Sequence, residues 1–328
     1  MVNEMFAFRA ASLQPLPNKG PSAMQRQARF LPIGFLLPFL ALWVFASAAT
    51  ALAGERLYGQ GRLWQVTRDG GTPSYVFGTM HSAEASVTAL PEEVSRAFDR
   101  SDGLVLEVII DQQTAIQMSR AMLLTDGRSL TQIIGPELGR QVGETAGRYG
   151  LPPAQLQLFQ PWAVMAMFSL PPAELARQQA GQQPLDRVLQ DRATARGTPL
   201  LALETLEEQL SVFTELAESD QVALLEASLQ LNPRIDEIFE AMKQAYLAGD
   251  LDRLHAMSKE LQAGSDPALS ELFERRLIEM RNHRMIARMG QRLTQGRAFV
   301  AVGALHLSGE QGILNLLAQQ GYAVERVL

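Results

Sequence analysis

Histidine is scarce in this sequence, with four residues in a chain of 328, and two of the four occupy matching positions. His81 and His306 each stand three residues after a glycine that ends an apolar segment typical of a β-strand. The carboxyl ends of strands in α/β sheets border the crevice where ligands bind. We therefore expect both imidazoles beside such a crevice, where histidine acts as an acid, a base or a metal ligand. The alternative is that each is a hydrogen-bonded, partly buried residue that closes a turn.

The glycines of these Gly-x-x-His segments, Gly78 and Gly303, admit backbone angles that other residues resist. They also permit close approach of a neighbouring backbone or a ligand, because they carry no Cβ atom. Either property would explain a glycine at the end of each strand. The remaining histidines, His255 and His283, are expected to be structural or surface residues.

Glu107 is unusual because large apolar residues flank it on both sides, within residues 104–110. A glutamate is almost never fully buried unless it is paired, since an unsolvated carboxylate costs several kcal/mol. A metal ion, a histidinium or an arginine would each compensate its charge. The alternative is a strand that emerges into solvent at this position. We favour the compensated carboxylate.

Polar residues also stand at two further places of interest. Glu204 ends an apolar segment just before a helix that opens with Glu207 and Glu208. We assign the latter two acids to the helix N-terminus, which they stabilise by about 0.3–1 kcal/mol, and keep Glu204 as a functional candidate. Arg281 and Asn282 lie in a basic helical run. A solvated surface is the ordinary role of such a run, and an arginine that reaches into an acidic crevice is the functional alternative.

The elements that must position these residues follow from the apolar pattern. It predicts a β-hairpin and four further strands, at residues 63–67 with 74–78, 103–110, 198–204, 298–303 and 322–327. The strands at 103–110 and 198–204 are expected to be buried. Helices are predicted at 91–98, through most of 111–196 and 205–296, and at 309–320. The sequence therefore predicts an α/β fold with a mixed central β-sheet and a large helical middle section.

Composition excludes several classes of function. The net charge is −6, and no basic block follows residue 30, which argues against nucleic-acid binding. The absence of cysteine excludes disulfides, thiolate metal sites, iron–sulfur clusters and a cysteine nucleophile. The sequence also lacks the motifs of serine hydrolases, P-loop nucleotide hydrolases and dinucleotide-binding proteins.

Residues 1–53 have the pattern of a secretory signal peptide: a basic region, an uncharged stretch at 31–53, and small residues before Gly54. An acidic exported chain without disulfides suits a bacterial periplasm or secretion from a bacterium. If the segment stays uncleaved, residues 31–53 instead anchor the protein in the inner membrane. Met24 is an alternative start. We expect residues 54–328 to form one domain, with a helical subdomain at about 205–296.

The motifs taken together resemble the TraB/GumN family, also called TraB/PrgY, from about residue 63 to the C-terminus. They are Tyr-Val-Phe-Gly-Thr-Met-His81, Leu104-Val-Leu-Glu107, Leu203-Glu-Thr-Leu-Glu-Glu-Gln209, Arg281-Asn282, Val302-Gly-Ala-Leu-His306 and the final Gly-Tyr-x-Val. The resemblance implies a fold shared with the Tiki proteases of animal cells and related to the erythromycin esterase and haem-binding ChaN group. In the Tiki relatives, two Gly-x-x-His motifs and a glutamate are required for metal-dependent peptide cleavage.

The resemblance also implies roles for individual residues. His81, Glu107 and His306 match the residues expected to hold a divalent ion, and such a ligand set suits Zn²⁺, Mn²⁺, Co²⁺ or Fe²⁺. Glu204 matches a further motif position and is a candidate general base or ligand. Arg281 and Asn282 match another, with Arg281 a candidate for stabilising an oxyanion.

Two functional hypotheses follow. The first is an exported metal-dependent hydrolase, acting on a peptide or small-molecule substrate, most directly on peptide bonds. The second is a non-catalytic periplasmic binding protein that sequesters a peptide or a haem. Neither involves nucleic acid, and a membrane is involved only if the N-terminal segment stays uncleaved.

Overall fold

A six-stranded mixed β-sheet organises the part of the chain that the computed structural model describes, residues 57–262 and 267–328. Its strands are β1 (Leu63–Thr67), β2 (Ser74–Thr79), β3 (Gly103–Leu106), β4 (Leu200–Ala202), β5 (Ala298–Gly303) and β6 (Ala323–Arg326). Their order across the sheet is β4-β3-β5-β2-β1-β6. Strands β2 to β5 run parallel to their neighbours in that group, whereas β1 is antiparallel to β2 and β6. The predicted α/β fold with a mixed central sheet is confirmed.

The helices lie between the strands along the chain, and all but the short first one overlap the regions where the sequence predicts helices. Those before β4 are α1 (Ala85–Thr88), α2 (Glu92–Arg100), α3 (Gln112–Ala121), α4 (Leu130–Ile134), α5 (Pro136–Arg148), α6 (Pro153–Leu156), α7 (Pro161–Phe168), α8 (Pro172–Gln179) and α9 (Leu185–Ala195). Those after β4 are α10 (Leu206–Thr214), α11 (Glu218–Leu231), α12 (Ile235–Ala248), α13 (Leu251–Gln262), α14 (Pro267–Glu274), α15 (Met280–Thr294) and α16 (Ile313–Gln319). Short 3₁₀ turns occupy Asn232–Arg234 and Ala304–His306, and a π-helical segment occupies Arg275–Glu279.

The β1–β2 hairpin forms as the sequence predicts, with Leu63 opposite Phe77. Its turn places Asp69 and Gly70 at φ angles of 52° and 67°, and Gly71 N donates to Arg68 O. Two consecutive positive φ angles give a turn whose twist matches that of the flanking strands. Local sequence therefore determines this part of the sheet.

Two strand predictions are wrong in detail. β3 ends at Leu106 rather than Ile110, because the chain leaves the sheet at Glu107, whose carbonyl accepts hydrogen bonds from the backbone of Leu203 and Glu204. β4 covers only Leu200–Ala202 and lies at the edge of the sheet, with Leu201 37% exposed. The strand predicted at 198–204 is therefore not buried, because β4 has a neighbouring strand on one side only.

The core lies on both sides of the central strands and continues into the helical layer. β3 and the first five residues of β5 are fully buried, as expected for parallel strands covered on both faces. Helix α7 is buried around its whole circumference and packs against α11. Within residues 57–262 and 267–328, no helix combines the length and the apolar character needed to cross a membrane.

The described residues include only part of the predicted domain division. The signal-peptide segment 1–53, with its alternative as an anchor, lies outside the described residues. The division into residues 54–328 with a helical subdomain at 205–296 stays a prediction. The feature that matters for function is the parallel order of β2 to β5, since it brings the carboxyl ends of four strands to one edge of the sheet.

Candidate functional site

His81 leaves the carboxyl end of β2 and is oriented by an aspartate from α9. Its Nδ1 donates to Oδ2 of Asp186 over 2.6 Å, and Thr79 Oγ1 donates to Oδ1 of the same carboxylate, also over 2.6 Å. Burial opposes the charged imidazole, but Asp186 and Glu107 outweigh that effect and raise the pKa of His81. With Nδ1 engaged, Nε2 is the ring nitrogen left for a ligand.

The loop that follows His81 is fixed by a completely buried glutamate of α8. Glu174 Oε1 accepts the backbone N–H of Ala83 over 2.6 Å, and its Oε2 accepts the Ser82 hydroxyl over 3.2 Å. Arg177 Nη1 donates to the same carboxylate over 3.0 Å. Hydrogen bonds to a charged acceptor are among the stronger ones, so this contact holds the loop in one conformation.

His306 stands in the 3₁₀ turn after β5, and Asn282 of α15 fixes its tautomer. Asn282 Nδ2 donates to the carbonyls of His306 and Gln311, so its Oδ1 must accept from His306 Nδ1, 2.6 Å away. Burial lowers the pKa of His306 to about 3, with Arg281 and His81 contributing and Glu107 opposing. The ring is therefore neutral at pH 7, and its Nε2 carries a lone pair.

Glu107 is buried, and its charge is compensated by an arginine. Arg281 Nη2 donates to Oε2 over 2.6 Å and Gln209 Nε2 to the same oxygen over 3.2 Å, while Gly303 N donates to Oε1 over 2.7 Å. Burial alone would raise the pKa of Glu107, but Arg281, the two site histidines and the Gly303 N–H lower it to about 2. Of the three compensating groups that the sequence left open, an arginine is present beside this carboxylate.

Arg281 bridges two buried carboxylates. Its Nε donates to Glu204 Oε2 over 2.8 Å, and the other oxygen of Glu204 accepts from Arg284 Nη1 over 2.9 Å. Arg281 is 1% exposed, so the solvated role expected for its helical run is wrong at this position. His283, two residues further on, is exposed as predicted and contacts Gln311.

The two motif glycines serve close approach rather than an unusual backbone angle. Gly303 has φ −53° and ψ 136°, and Gly78 also lies outside the left-handed region, so neither glycine uses a backbone angle that other residues resist. A Cβ atom on Gly78 would lie 2.8 Å from Leu307 Cδ1 and 3.2 Å from Ala304 Cα. Glycine is therefore needed at residue 78 because the segment after β5 packs directly on it.

A cavity open to solvent joins these residues. The space without protein atoms amounts to about 940 Å³, open solvent at the mouth included, and His81, Glu107, Arg281 and His306 all line it. A smaller cavity of about 430 Å³ also has His81 and Glu107 in its wall, together with Asp186 and Gln209. The site thus lies where two cavities meet, as expected for a ligand site at the carboxyl edge of a sheet.

The TraB/PrgY/gumN family model matches residues 62–326. The chain belongs to this family. Among the curated relatives, the chain is similar to Metalloprotease TIKI2 of Danio rerio, with 26% identity over 80% of this chain and 60% of the relative. It is also similar to Metalloprotease TIKI1 of Danio rerio, with 25% identity over 80% of this chain and 62% of that relative. The chain thus spans about 60% of the length of these relatives. No solved structure matches it.

The donor chemistry of this TraB/PrgY/gumN chain fits a metal ion, although the donors are not arranged around one point. Across 57–262 and 267–328, no group of three or more His, Asp or Glu residues is placed to hold an ion. His306 Nε2 lies 3.9 Å from Glu107 Oε1, and His81 lines the same cavity. Each histidine has its Nδ1 hydrogen-bonded to an oxygen acceptor, the arrangement usual for metal-binding histidines. The three-residue metal site stays a prediction.

The structure separates the other candidates in this family member by what they contact. Arg281 lines the larger cavity, whereas Glu204 does not, and both Glu204 oxygens accept hydrogen bonds from arginines. Asn282 is fully buried and contacts His306. Sequence reasoning missed Asp186 and Glu174, because an acid in the first turn of a helix ordinarily serves that helix end. Gln209 belongs to the family motif at residues 203–209, but nothing about its residue type identified it as a contact of Glu107.

Proposed function

We propose that this protein is a metal-dependent hydrolase that cleaves peptide bonds, with His81, Glu107 and His306 as ligands of one divalent ion. The observation that carries the proposal is the pair of imidazoles with Nδ1 engaged by Asp186 and Asn282, in the wall of the cavity that also contains Glu107. The relatives named metalloproteases support the reaction class. The donor set suits Zn²⁺, Mn²⁺, Co²⁺ or Fe²⁺.

Each side chain has a defined task in this proposal. The ion, when bound, would supply Lewis acidity to the scissile carbonyl and to the attacking water. Asp186 and Asn282 keep the two Nε2 lone pairs oriented, which raises ligand basicity and lowers the cost of binding. The Arg281 guanidinium stabilises negative charge as it develops on the carbonyl oxygen. Glu204 keeps Arg281 in place, because both of its oxygens are already occupied by arginine donors.

The proposal includes export. Residues 1–53 act as a cleaved leader, and the mature protein works in the periplasm or outside a bacterial cell. We expect an N-terminus near residue 54 in protein recovered from the periplasm or medium. Recovery of the full-length chain from the membrane fraction would instead favour an uncleaved anchor.

Metal content tests the ligand assignment. We expect about one divalent ion per purified chain by elemental mass spectrometry, and loss of that ion in the double variant His81→Ala/His306→Ala. His283→Ala is the matched control, since this histidine is exposed and hydrogen-bonds to Gln311 instead. Equal metal content in the double variant and the wild type would remove the basis for the assignment.

A peptide-binding protein without catalysis is the second candidate, favoured by the ion pair that already neutralises Glu107. A peptide library incubated with each candidate ion separates the two. Hydrolysis that is abolished by Glu107→Gln, with peptide binding retained, supports the enzyme. Binding without turnover under any ion, and unaffected by loss of both histidines, supports the binding protein.

A further inference from the structure

The larger cavity continues from the charged residues at the sheet edge into a wall of apolar side chains. These side chains come from five helices: Met165 of α7, Phe213 of α10, Phe239 and Met242 of α12, Leu254 of α13 and Phe273 of α14. Each of them is at most 5% exposed. The charged residues in the lining belong to the site already described, at the ends of β2, β3 and β5 and on α15.

The polar atoms within this apolar wall are already used. Ser169 Oγ donates to the carbonyl of Met165 over 2.9 Å, and the Tyr246 hydroxyl donates to the carbonyl of Gly78 over 3.0 Å. A charged or amide side chain that entered here would lose its hydration without a replacement partner, which costs several kcal/mol. An apolar side chain would gain about 25 cal/mol for each Å² removed from water.

The lining of the space also limits the occupant. The apolar part of the lining comes from six large side chains, so an occupant gains more the more apolar surface it places there. The four charged or titratable residues at the sheet edge suit a polar amide rather than the continuation of an acyl chain. The occupant therefore has one bulky apolar group and a polar group close to it.

We propose that this wall is the specificity pocket of the enzyme and receives a bulky apolar side chain, that of Phe, Leu or Met, adjacent to the peptide bond that is cleaved. The inference rests on the proposed function, because it names the substrate class of that same site. It adds a preference that the ligand residues alone do not determine.

Uncleavable single-residue ligands test the pocket without depending on catalysis. The full chain, freed of metal by a chelator, is titrated with the acetyl amides of phenylalanine, leucine, alanine and lysine. Trp162 reports binding by fluorescence, since its ring stacks on Phe213 at 5.5 Å and 9°, and Phe213 lines the pocket. We expect the phenylalanine and leucine amides to bind at least about tenfold more tightly than the alanine and lysine amides.

A variant in which a larger side chain fills the pocket provides the second measurement. Met242→Trp is expected to weaken phenylalanine amide binding at least about tenfold and to leave alanine amide binding nearly unchanged. Met257→Trp is the matched control, because Met257 is equally buried, at 5% exposure, but does not line the cavity. Circular dichroism checks that each variant is folded. If a variant is unfolded, the ligand titrations of the wild-type protein still test the proposal.

The outcomes separate this inference from the proposed function. Tighter binding of the apolar amides without any peptide cleavage supports the specificity pocket and contradicts the proposed peptidase function. Cleavage of peptides that have no bulky apolar residue beside the broken bond contradicts the specificity pocket and supports the proposed peptidase function. Equal affinity for all four amides, or tighter binding of decanoate than of any amide, also overturns the pocket, the latter in favour of an acyl chain.

Discussion

Arg281 determines the charge balance of the candidate site. It lies between Glu107 and Glu204, two carboxylates that are 7% and 2% exposed. Burial opposes its charged form, but the two carboxylates outweigh that effect and raise its pKa. The guanidinium is therefore charged at any pH where the protein is folded, and neither glutamate is left as an unpaired buried charge.

Removing this charge should destabilise the protein strongly. Arg281→Met leaves Glu107 without its main counter-ion and Glu204 with Arg284 alone, so we expect a loss of about 3–5 kcal/mol in the free energy of unfolding. Arg281→Lys keeps the charge but cannot bridge both carboxylates with a planar fork, so its loss should be smaller. Urea denaturation measures both values.

The matched control is another arginine of the same region. Arg276 pairs with Glu215 at 3.4 Å, and that glutamate is 64% exposed. Arg276→Met should change stability by no more than about 1 kcal/mol, because exposed ion pairs contribute little. A loss at Arg276 equal to that at Arg281 would contradict the role given to the buried pairs.

At the scale of elements, the site depends on two strand ends packed against each other. β2 and β5 are parallel neighbours, with Thr79 opposite Gly303, so the turn Ala304–His306 lies directly against the end of β2. The missing Cβ of Gly78 makes room for Ala304 and Leu307. The spacing between the two histidine-bearing segments therefore depends on residue 78 more than on residue 303.

Alanine substitutions at the two motif glycines should have unequal effects. Gly78→Ala places a Cβ atom against the backbone of Ala304, so we expect a loss of about 1–3 kcal/mol in unfolding free energy. Gly303→Ala meets its nearest atoms at 3.4 Å in an ordinary backbone conformation, and should stay within about 1 kcal/mol of wild type. Thermal and urea unfolding measure the difference, and the reverse order would contradict this packing account.

At the scale of the whole molecule, acid stability depends on carboxylates held by arginines. Glu208 of α10 accepts hydrogen bonds from both Nη atoms of Arg288 on α15, and from Thr205 N. The Arg288 contact is the main reason why the pKa of Glu208 falls from 4.5 to about 2. A depressed pKa favours the folded state above pH 4.5, and this contribution disappears as the pH falls towards 2.

Glu208→Gln should therefore remove one part of the acid dependence without touching the candidate site. At pH 7 we expect the variant to be less stable by about 1 kcal/mol, a modest value because the pair is partly exposed to solvent. The difference from wild type should shrink when urea unfolding is repeated at pH 3. Glu207→Gln, an exposed neighbour in the same turn, is the control. A gap between Glu208→Gln and wild type that is equally large at pH 3 and pH 7 would contradict the linkage.

The sequence predicts those parts of the molecule that local pattern determines. The β1–β2 turn and the bounds of β5 follow from composition and alternation, and the two histidines at strand ends follow from motif position. The early end of β3 does not, because it depends on the hydrogen bonds that Glu107 receives through its carbonyl from Leu203 and Glu204. Asp186 also escaped prediction, since its contact with His81 joins residues 105 positions apart.

The long sequence separations between residues of the candidate site have a consequence for biosynthesis. Glu107 receives its hydrogen bond from Gly303, 196 positions later, and its counter-ion Arg281 follows 174 positions later. A ribosome that adds about 5–20 residues per second needs on the order of ten to forty seconds to cover that interval. A nascent polypeptide that already carries His81 and Glu107 thus has no assembled candidate site until Arg281 and Gly303 have been added. Chains that terminate before Gly303 lack part of the site altogether.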